Sequence, residues 1–191
     1  MKSLLIASFS ALVLAVSANF GTDKSEEQAA ETAPAAVSAV NWLTFEEAVE
    51  KNKTAPRKIV VDIYTDWCGW CKRMDKTTFS QAQIASYLNE NYYPVKFNAE
   101  QKEEILFNGK EYGFVSNGRR GYHELAAEIT GGMLSYPTTV FLDEDMKVIQ
   151  AIKGFKDADS FEQIATYFGG DYHKKTPWES YRKNYKPLRG E

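Results

Sequence analysis

The stretch VVDIYTDWCGWCK, residues 60–72, decides how this sequence folds and what chemistry it offers. Residues 58–65 form a run of β-branched and aromatic side chains, which predicts a buried strand. Both cysteines of the chain, Cys68 and Cys71, come directly after this strand with two residues between them. Because the sequence after them is helical in character, the cysteines are predicted to open a helix.

Three kinds of site are consistent with one Cys-X-X-Cys pair: a structural disulfide, part of a metal centre, or a redox pair that opens and closes. A structural bridge over so short a loop would restrict the unfolded chain very little. A zinc site needs two further ligands, and the only histidines, His123 and His173, are far apart and lack ligand spacing. We therefore favour the redox pair and expect no cofactor and no metal, with thiolate-bound Cu(I) as a weaker alternative.

The amino-terminal sequence predicts export. Lys2 supplies a positive charge, residues 4–16 form an apolar run, and the small residues of AVSA suit a cleavage site. Since a membrane-spanning helix needs roughly 20 apolar residues, residues 1–18 are predicted to be a cleaved signal peptide, with an uncleaved anchor as the alternative. Residues 19–40 are rich in Ala, Glu, Ser and Thr and are predicted to be a flexible linker. We expect a periplasmic or secreted protein, in a compartment where disulfides persist.

Composition and charge limit the class of protein. The chain has 191 residues, of which 43% are hydrophobic, and this suits one domain with a buried core. The formal net charge is −3, and the lysines and arginines are scattered along the chain rather than gathered in a stripe. This pattern argues against nucleic acid as a partner.

The order of predicted elements indicates an α/β fold. TFEEAVEKN begins at Thr44 with a capping box completed by Glu47 and predicts a helix before the first strand. A second strand is predicted over residues 93–100, two more over residues 135–155, and a closing amphipathic helix over residues 157–170. A β-α-β unit followed by a further strand pair implies a mixed central β-sheet flanked by helices on both faces.

An insertion is predicted at about residues 103–131, before the last strand pair. Asn108-Gly109 lies between two short apolar runs, which is a strong β-hairpin signal. The segment GYHELAAEITGG then predicts a helix that Gly131 ends. We expect this β-hairpin/helix insertion to lie near the rim of the active site.

A C-terminal helical extension, residues 171–191, is predicted to follow the domain of residues 41–170. Its three large aromatic side chains recur at helical spacing: Trp178, Tyr181 and Tyr185. Such spacing predicts a helix face that docks on the body of the domain. A face that binds a partner protein is the alternative.

A cysteine at the start of a helix is well placed to act as a nucleophile. Free N–H groups and the helix dipole stabilise a thiolate there, and such positions lower the thiol pKa to roughly 3.5–7.5. Cys68 is therefore expected to attack a disulfide, and it is also a good leaving group. Cys71 follows one turn later, close enough to resolve the mixed disulfide. The sequence thus contains both halves of a thiol–disulfide exchange cycle.

Residues 60–72 resemble the active-site strand and loop of the thioredoxin superfamily, whose familiar form is Trp-Cys-Gly-Pro-Cys-Lys. SYPTTVFLD, residues 135–143, resembles the cis-proline loop of that family, and IKGF, residues 152–155, resembles its last glycine turn. The resemblance covers residues 41–170 apart from the insertion and implies the thioredoxin fold. It is greatest with exported bacterial proteins related to the soluble domains of thiol:disulfide interchange proteins.

The resemblance implies four catalytic residues. Cys68 matches the nucleophilic cysteine and Cys71 the resolving one. Asp62 falls where thioredoxins keep a buried acid that helps to deprotonate the resolving thiol, and burial would raise its pKa. Lys96 resembles the lysine near that acid. The alternatives are a surface acid on an edge strand for Asp62 and a solvated side chain for Lys96.

The resemblance also implies a substrate-binding face. Trp67 matches the tryptophan that shields the cysteine pair, and Pro137 matches the cis-proline, with a trans turn as the alternative. The backbone of Tyr136 would then pair with a bound substrate strand. Gly69 and Trp70 replace the Gly-Pro of thioredoxin, so the potential of the pair cannot be transferred from that family. The tryptophans are expected to contact substrate, with plain packing as the alternative.

Two classes of function follow. The first is an exported thiol–disulfide oxidoreductase that reduces protein disulfides and takes electrons from a membrane thiol:disulfide interchange protein, with oxidase or isomerase activity as the alternative direction. The second is a non-catalytic thioredoxin-fold module that binds a client protein. A Cys68→Ser variant distinguishes the two, because only the enzyme loses its function.

Overall fold

The computed structural model describes residues 39–118 and 120–188. The predicted signal peptide, residues 1–18, and residues 19–38 of the predicted linker lie outside the described residues. Val40, near the end of that linker, is buried against the domain. No helix in the described part of the chain is long and apolar enough to cross a membrane.

The order of strands and helices follows the order that the sequence predicts, with one β-hairpin more than predicted. The strands are β1 (Ile59–Tyr64), β2 (Tyr93–Asn98), β3 (Ile105–Phe107), β4 (Lys110–Tyr112), β5 (Phe114–Asn117), β6 (Arg120–His123), β7 (Thr138–Leu142) and β8 (Val148–Lys153). The α-helices are α1 (Phe45–Thr54), α2 (Gly69–Met74), α3 (Ala82–Asn91), α4 (Glu124–Ile129), α5 (Ala158–Gly169) and α6 (Trp178–Lys183). A π-helical segment, Asp75–Phe79, continues α2, and a 3₁₀ turn, Tyr172–Lys174, precedes α6.

The central sheet is mixed and has the strand order β2-β1-β7-β8. Strands β1 and β2 are parallel, whereas β7 runs antiparallel to both β1 and β8. In this register Asp62 lies opposite Lys96 on β2 and opposite Thr139 on β7. The predicted α/β sheet is confirmed, and it places the two predicted ionisable residues side by side.

The sheet is covered on both faces because its central strands are apolar on both faces. Val61 and Ile63 point into one core with α1, α4 and the β3–β4 hairpin. Val60, on the opposite side of β1, packs in a second core with α2, α3 and α5. Alternate side chains of β1 are therefore buried on opposite faces of the sheet, as period-2 alternation requires.

The insertion contains two hairpins rather than one. The predicted hairpin is confirmed as β3–β4, with Asn108 and Gly109 at its turn, both at positive φ. A second hairpin, β5–β6, was not predicted. The predicted helix over GYHELAAEITGG was too long at its start, because GYH belongs to β6 and α4 begins at Glu124. His123 caps this helix: its Nδ1 accepts the Leu125 N–H at 3.2 Å.

The C-terminal extension docks on the domain, as predicted. Tyr181 is buried, and its ring lies 4.9 Å from that of Tyr167 on α5. Its hydroxyl donates a hydrogen bond to Thr166 Oγ1 at 2.8 Å. The carboxylate of the buried Glu162 accepts a hydrogen bond from the Tyr185 hydroxyl at 2.6 Å. Aromatic packing and buried hydrogen bonds therefore fasten the extension to α5.

Candidate active site

The two cysteines form a disulfide at the carboxyl end of β1. Cys68 and Cys71 are joined, with their Cα atoms 5.3 Å apart. Cys68 is the N-cap of α2, and the Cys71 N–H donates to Cys68 Sγ at 3.1 Å. Cys68 is 5% exposed and Cys71 is 2% exposed, so both residues are buried and Cys68 slightly less so. The assignment of Cys68 as nucleophile and Cys71 as resolving thiol stays a prediction.

The loop between β1 and α2 sets the position of Cys68. Its backbone N–H donates to the Thr65 carbonyl at 3.0 Å, which closes a tight turn directly after the strand. Gly69, the first residue of α2, is exposed. The turn therefore presents the Cys68 sulfur at the start of a helix, where backbone N–H groups favour negative charge.

Asp62 is buried on β1, the strand that leads into the cysteine motif. Its side chain is 1% exposed, and Oδ2 accepts a hydrogen bond from Lys96 Nζ at 2.6 Å. Oδ1 is buried and makes no hydrogen bond to any residue that the structure describes. Burial raises the pKa of Asp62 to about 6, although Lys96 opposes the shift. Such an acid is able to take up and release a proton near neutral pH.

Lys96 bridges Asp62 to a second carboxylate that sequence reasoning missed. Asp75, at the start of the π-helical segment, also accepts a hydrogen bond from the Lys96 ammonium group. Burial lowers the pKa of Lys96, but the two carboxylates outweigh it and leave this pKa raised. The exposed fraction of the side chains rises from 1% at Asp62 to 20% at Lys96 and 42% at Asp75. The three groups connect the interior with the surface.

Aromatic rings surround the Lys96 ammonium group. Its Nζ lies 5.1 Å from the ring centroid of Trp42, 5.2 Å from that of Tyr64 and 5.4 Å from that of Phe79. Such rings attract a cation through their negative faces. An open cleft of about 380 Å³, lined in part by Asp75 and Lys96, gives water access to this end of the network.

Pro137 follows a cis peptide bond, as predicted. It lies before β7, and its carbonyl accepts a hydrogen bond from the Gly154 N–H at 2.8 Å. The half-buried ring of Tyr136 packs edge-on against Trp67, with centroids 5.8 Å apart. The structure therefore brings the cis-proline loop to the tryptophan that precedes Cys68.

Trp67 is held in place by three neighbours and is still 53% exposed. Its Nε1 donates to Glu100 Oε2 at 3.0 Å. The Arg120 guanidinium lies over its ring, 4.6 Å from the centroid, and Tyr136 packs against it from another side. Glu100 and Arg120 were missed in the sequence because they are distant in the chain. Arg120 belongs to β6, so the insertion reaches the rim of the site.

Trp70 forms the second exposed aromatic surface of the site. It is 55% exposed, and its ring lies 5.4 Å from that of Phe155, which follows β8. The Arg73 guanidinium lies 5.2 Å from the Trp70 centroid and 5.4 Å from that of Phe155. The two tryptophans of the motif thus present separate aromatic surfaces, each with an arginine beside it.

A family of known proteins matches most of the domain. The thioredoxin-like domain family matches residues 45–169, a segment that contains the cysteine motif, Asp62, Lys96 and the cis-proline loop. It also contains both inserted hairpins and ends where α5 ends. The match covers more than half of the chain.

Curated relatives include bacterial thiol:disulfide interchange proteins. The chain is 27% identical to the thiol:disulfide interchange protein DsbD of Photorhabdus laumondii over 128 residues, which are 64% of this chain and 18% of that protein. It is 27% identical to DsbD of Haemophilus influenzae (strain 86-028NP) over 146 residues, 73% of this chain and 22% of that protein. The chain spans less than a quarter of the length of either relative.

Solved structures share the fold at low sequence identity. A thioredoxin from Thermus thermophilus superposes with a TM-score of 0.53 at 16% identity, covering 71% of this chain and 93% of that one. A DsbH oxidoreductase superposes with a TM-score of 0.50 at 19% identity, covering 74% and 92%. Both comparisons agree with the mixed four-stranded sheet and its flanking helices.

Proposed function

Because the chain belongs to the thioredoxin-like domain family, we propose that it is an exported oxidoreductase that reduces protein disulfides. It is a thioredoxin-like thiol–disulfide protein with a Cys68–Cys71 pair. One observation carries the proposal: Cys68, joined to Cys71 in a disulfide, caps a helix between two exposed tryptophans, next to the cis-proline loop. Such a site offers a nucleophile, a resolving thiol and a surface for a protein substrate.

The first step is attack by the Cys68 thiolate of the reduced protein on a substrate disulfide. A bond forms between Cys68 Sγ and one substrate sulfur, while the other substrate sulfur leaves as a thiolate and takes a proton. The N-terminus of α2 stabilises the attacking thiolate. The surface formed by Trp67 and Tyr136 holds the substrate, whose extended backbone pairs with the cis-proline loop.

The second step resolves the mixed disulfide. Cys71 loses its proton to Asp62 and attacks Cys68 Sγ, which restores the Cys68–Cys71 disulfide and releases the second substrate thiolate. Two electrons pass from the Cys68–Cys71 dithiol to the substrate over the cycle, and the two substrate thiolates take up their protons from water. The proton on Asp62 exchanges with water through Lys96 and Asp75, whose exposure increases towards the surface.

The buried acid supports the reductase direction that we propose, although the same residues would also serve the reverse direction. A buried acid with a pKa near 6 assists deprotonation of the resolving thiol, which is the demanding step for a reductase. The oxidised pair must then be reduced again by a dithiol. Since curated relatives are thiol:disulfide interchange proteins, we propose a membrane protein of that kind as electron donor and the periplasm as location.

Trapping the mixed disulfide tests this function. A reduced Cys71→Ser variant should accumulate a covalent one-to-one adduct with a disulfide substrate such as insulin, because the resolving thiol is missing. Mass spectrometry should locate the bond at Cys68, and dithiothreitol should release it. Wild-type protein should reduce insulin catalytically with dithiothreitol as donor, whereas the variant should fall to the uncatalysed rate.

The matched control is Cys68→Ser, which keeps one thiol at the same site. It should form little adduct, because Cys71 is the less exposed residue of the pair and lies inside α2 rather than at its N-cap. Equal trapping by both variants would contradict the assigned roles. Failure of the folded wild-type protein to accelerate insulin reduction would contradict the reductase itself.

A further inference from the structure

An arginine guanidinium group packs against the ring of each tryptophan of the cysteine motif. Arg120 of β6 lies 4.6 Å from the Trp67 centroid, and Arg73 of α2 lies 5.2 Å from the Trp70 centroid. Both rings are more than half exposed. The arginines therefore stand on either side of the cysteine pair, on the surface that a substrate must contact.

A third cation lies beside the cis-proline loop. Lys153, the last residue of β8, pairs with Thr138 in the sheet register, and its Nζ contacts the sulfur of the exposed Met133 at 2.9 Å. Arg73, Arg120 and Lys153 are called the cationic rim below. Within residues 39–118 and 120–188, none of the three forms an ion pair with a carboxylate.

Two carboxylates near the site offset part of this charge. Glu100 accepts the Trp67 indole N–H through Oε2 and keeps its negative charge, because the indole is neutral. Asp66, directly before Trp67, is an exposed carboxylate. The three cations of the rim exceed these two carboxylates by one positive charge, although the whole chain has a net charge of −3.

We propose that the cationic rim selects protein disulfides flanked by acidic side chains, with Arg120 of the inserted hairpin as a specificity residue. This inference rests on the proposed function and names its substrate class. An extended substrate along the cis-proline loop places the neighbours of its cysteine over Trp67 and Trp70. Glutamate or aspartate there meets a guanidinium whose position is already fixed by stacking, so complementary charge favours binding. A substrate lysine at the same place is repelled by the guanidinium group, because both carry positive charge.

Charge-matched peptides test the proposal. The substrates are disulfides of one short peptide with a single cysteine flanked by Glu, Gln or Lys. Wild-type protein should reduce the Glu form with a kcat/KM about fivefold higher than the Lys form, the size expected for exposed ion pairs. This Glu-to-Lys ratio of kcat/KM should fall towards one in Arg120→Gln and fall further in the double variant Arg73→Gln/Arg120→Gln. It should also fall for the wild type in 1 M salt, which screens such contacts.

The matched control is Lys110→Gln. Lys110 also lies over an aromatic ring, that of Tyr112 at 4.3 Å, but on the β3–β4 hairpin. The ratio of its kcat/KM for the Glu peptide to that for the Lys peptide should equal the wild-type ratio. Because all variants are compared on the same peptides, differences in the intrinsic reactivity of the peptides cancel. If Arg120→Gln fails to fold, as judged by circular dichroism, Arg73→Gln alone carries the test.

The outcomes separate this inference from the proposed function. Reduction of all three peptides with a ratio that neither arginine substitution changes would overturn the inference and leave the reductase intact. No reduction of any peptide, including the Gln form, would overturn the proposed function and this inference with it.

Discussion

Asp62 is a carboxylic acid that bulk water does not reach, on the strand that leads to the cysteines. Its register partner Lys96 supplies one hydrogen bond, and Asp75 competes for the same ammonium group. Burial therefore prevails over the ion pair, and the pKa of Asp62 is raised. An ion pair that fully compensated the burial would have left a permanently charged carboxylate, unable to serve as a base that is regenerated near neutral pH.

Replacing Asp62 by Asn should remove a pH-dependent part of the stability. The pKa of Asp62 is raised from 3.8 to about 6 in the folded protein, so folding favours the protonated acid. Its contribution to the free energy of unfolding is fully present below pH 3.8 and is lost as pH rises through about 6. The loss is on the order of 3 kcal/mol. Urea unfolding of the oxidised protein between pH 4 and 7 measures it.

The difference between wild type and variant isolates this contribution from other titrating groups. Asp62→Asn should gain stability relative to wild type as the pH rises. Asp145→Asn is the control, because Asp145 is an exposed acid paired only with Lys147. If Asp62→Asn tracks the wild type at every pH, Asp62 is not the group whose pKa burial has raised.

The sequence identified the reactive residues of the site more readily than the residues that surround them. Cys68 and Cys71 are adjacent to a recognisable strand, and Asp62 was identified with them through family resemblance. Glu100 and Arg120 have no local signal, since they reach Trp67 only after the chain has folded. Residues that hold a functional side chain from distant elements require the tertiary structure.

At the scale of elements, the two inserted hairpins show what sequence can and cannot predict. Asn108-Gly109 is a turn signal that needs no tertiary contact. The second hairpin depends on Gly121, where an added Cβ would lie 2.1 Å from Phe114 Cζ across the strand pair. The sequence of β6 resembles the start of a helix, whereas the packing of Phe114 across the strand pair favours a strand. The spacing of apolar residues within one segment does not reveal such a contact.

The C-terminal extension should contribute to stability through Tyr181. Tyr181→Ala removes a buried ring that packs against Tyr167 and a hydroxyl bonded to Thr166, so it should cost about 3 kcal/mol in the free energy of unfolding. Tyr181→Phe keeps the ring and loses one hydrogen bond, at a cost of about 1 kcal/mol. Chemical unfolding followed by tryptophan fluorescence measures both.

Insulin reduction by the folded Tyr181 variants should stay at the wild-type rate, because α6 contributes no residue to the site described. Equal stability of Tyr181→Ala and Tyr181→Phe would show that the ring is not buried against α5. A parallel loss of reductase activity would instead link the extension to the catalytic surface.

At the scale of the whole molecule, the fold could be predicted because several independent sequence signals indicate the same arrangement. Apolar central strands, a capped first helix and the Tyr-Pro-Thr loop each point to the same mixed sheet. The sheet then places the cysteine motif, the cis-proline loop and the glycine turn before α5 at one end. The insertion adds Arg120 there, beside the ring of Trp67.

The reduction potential of the Cys68–Cys71 pair tests the central claim most directly. Equilibrating the protein in glutathione and dithiothreitol buffers, then counting free thiols by mass spectrometry after alkylation, yields this potential. The proposed reductase direction predicts a strongly reducing potential, in the range of roughly −270 mV, because a reduced pair of that potential drives electrons into substrate disulfides. A value of about −120 mV, typical of a strong periplasmic oxidant, would contradict the account and make the protein a disulfide donor.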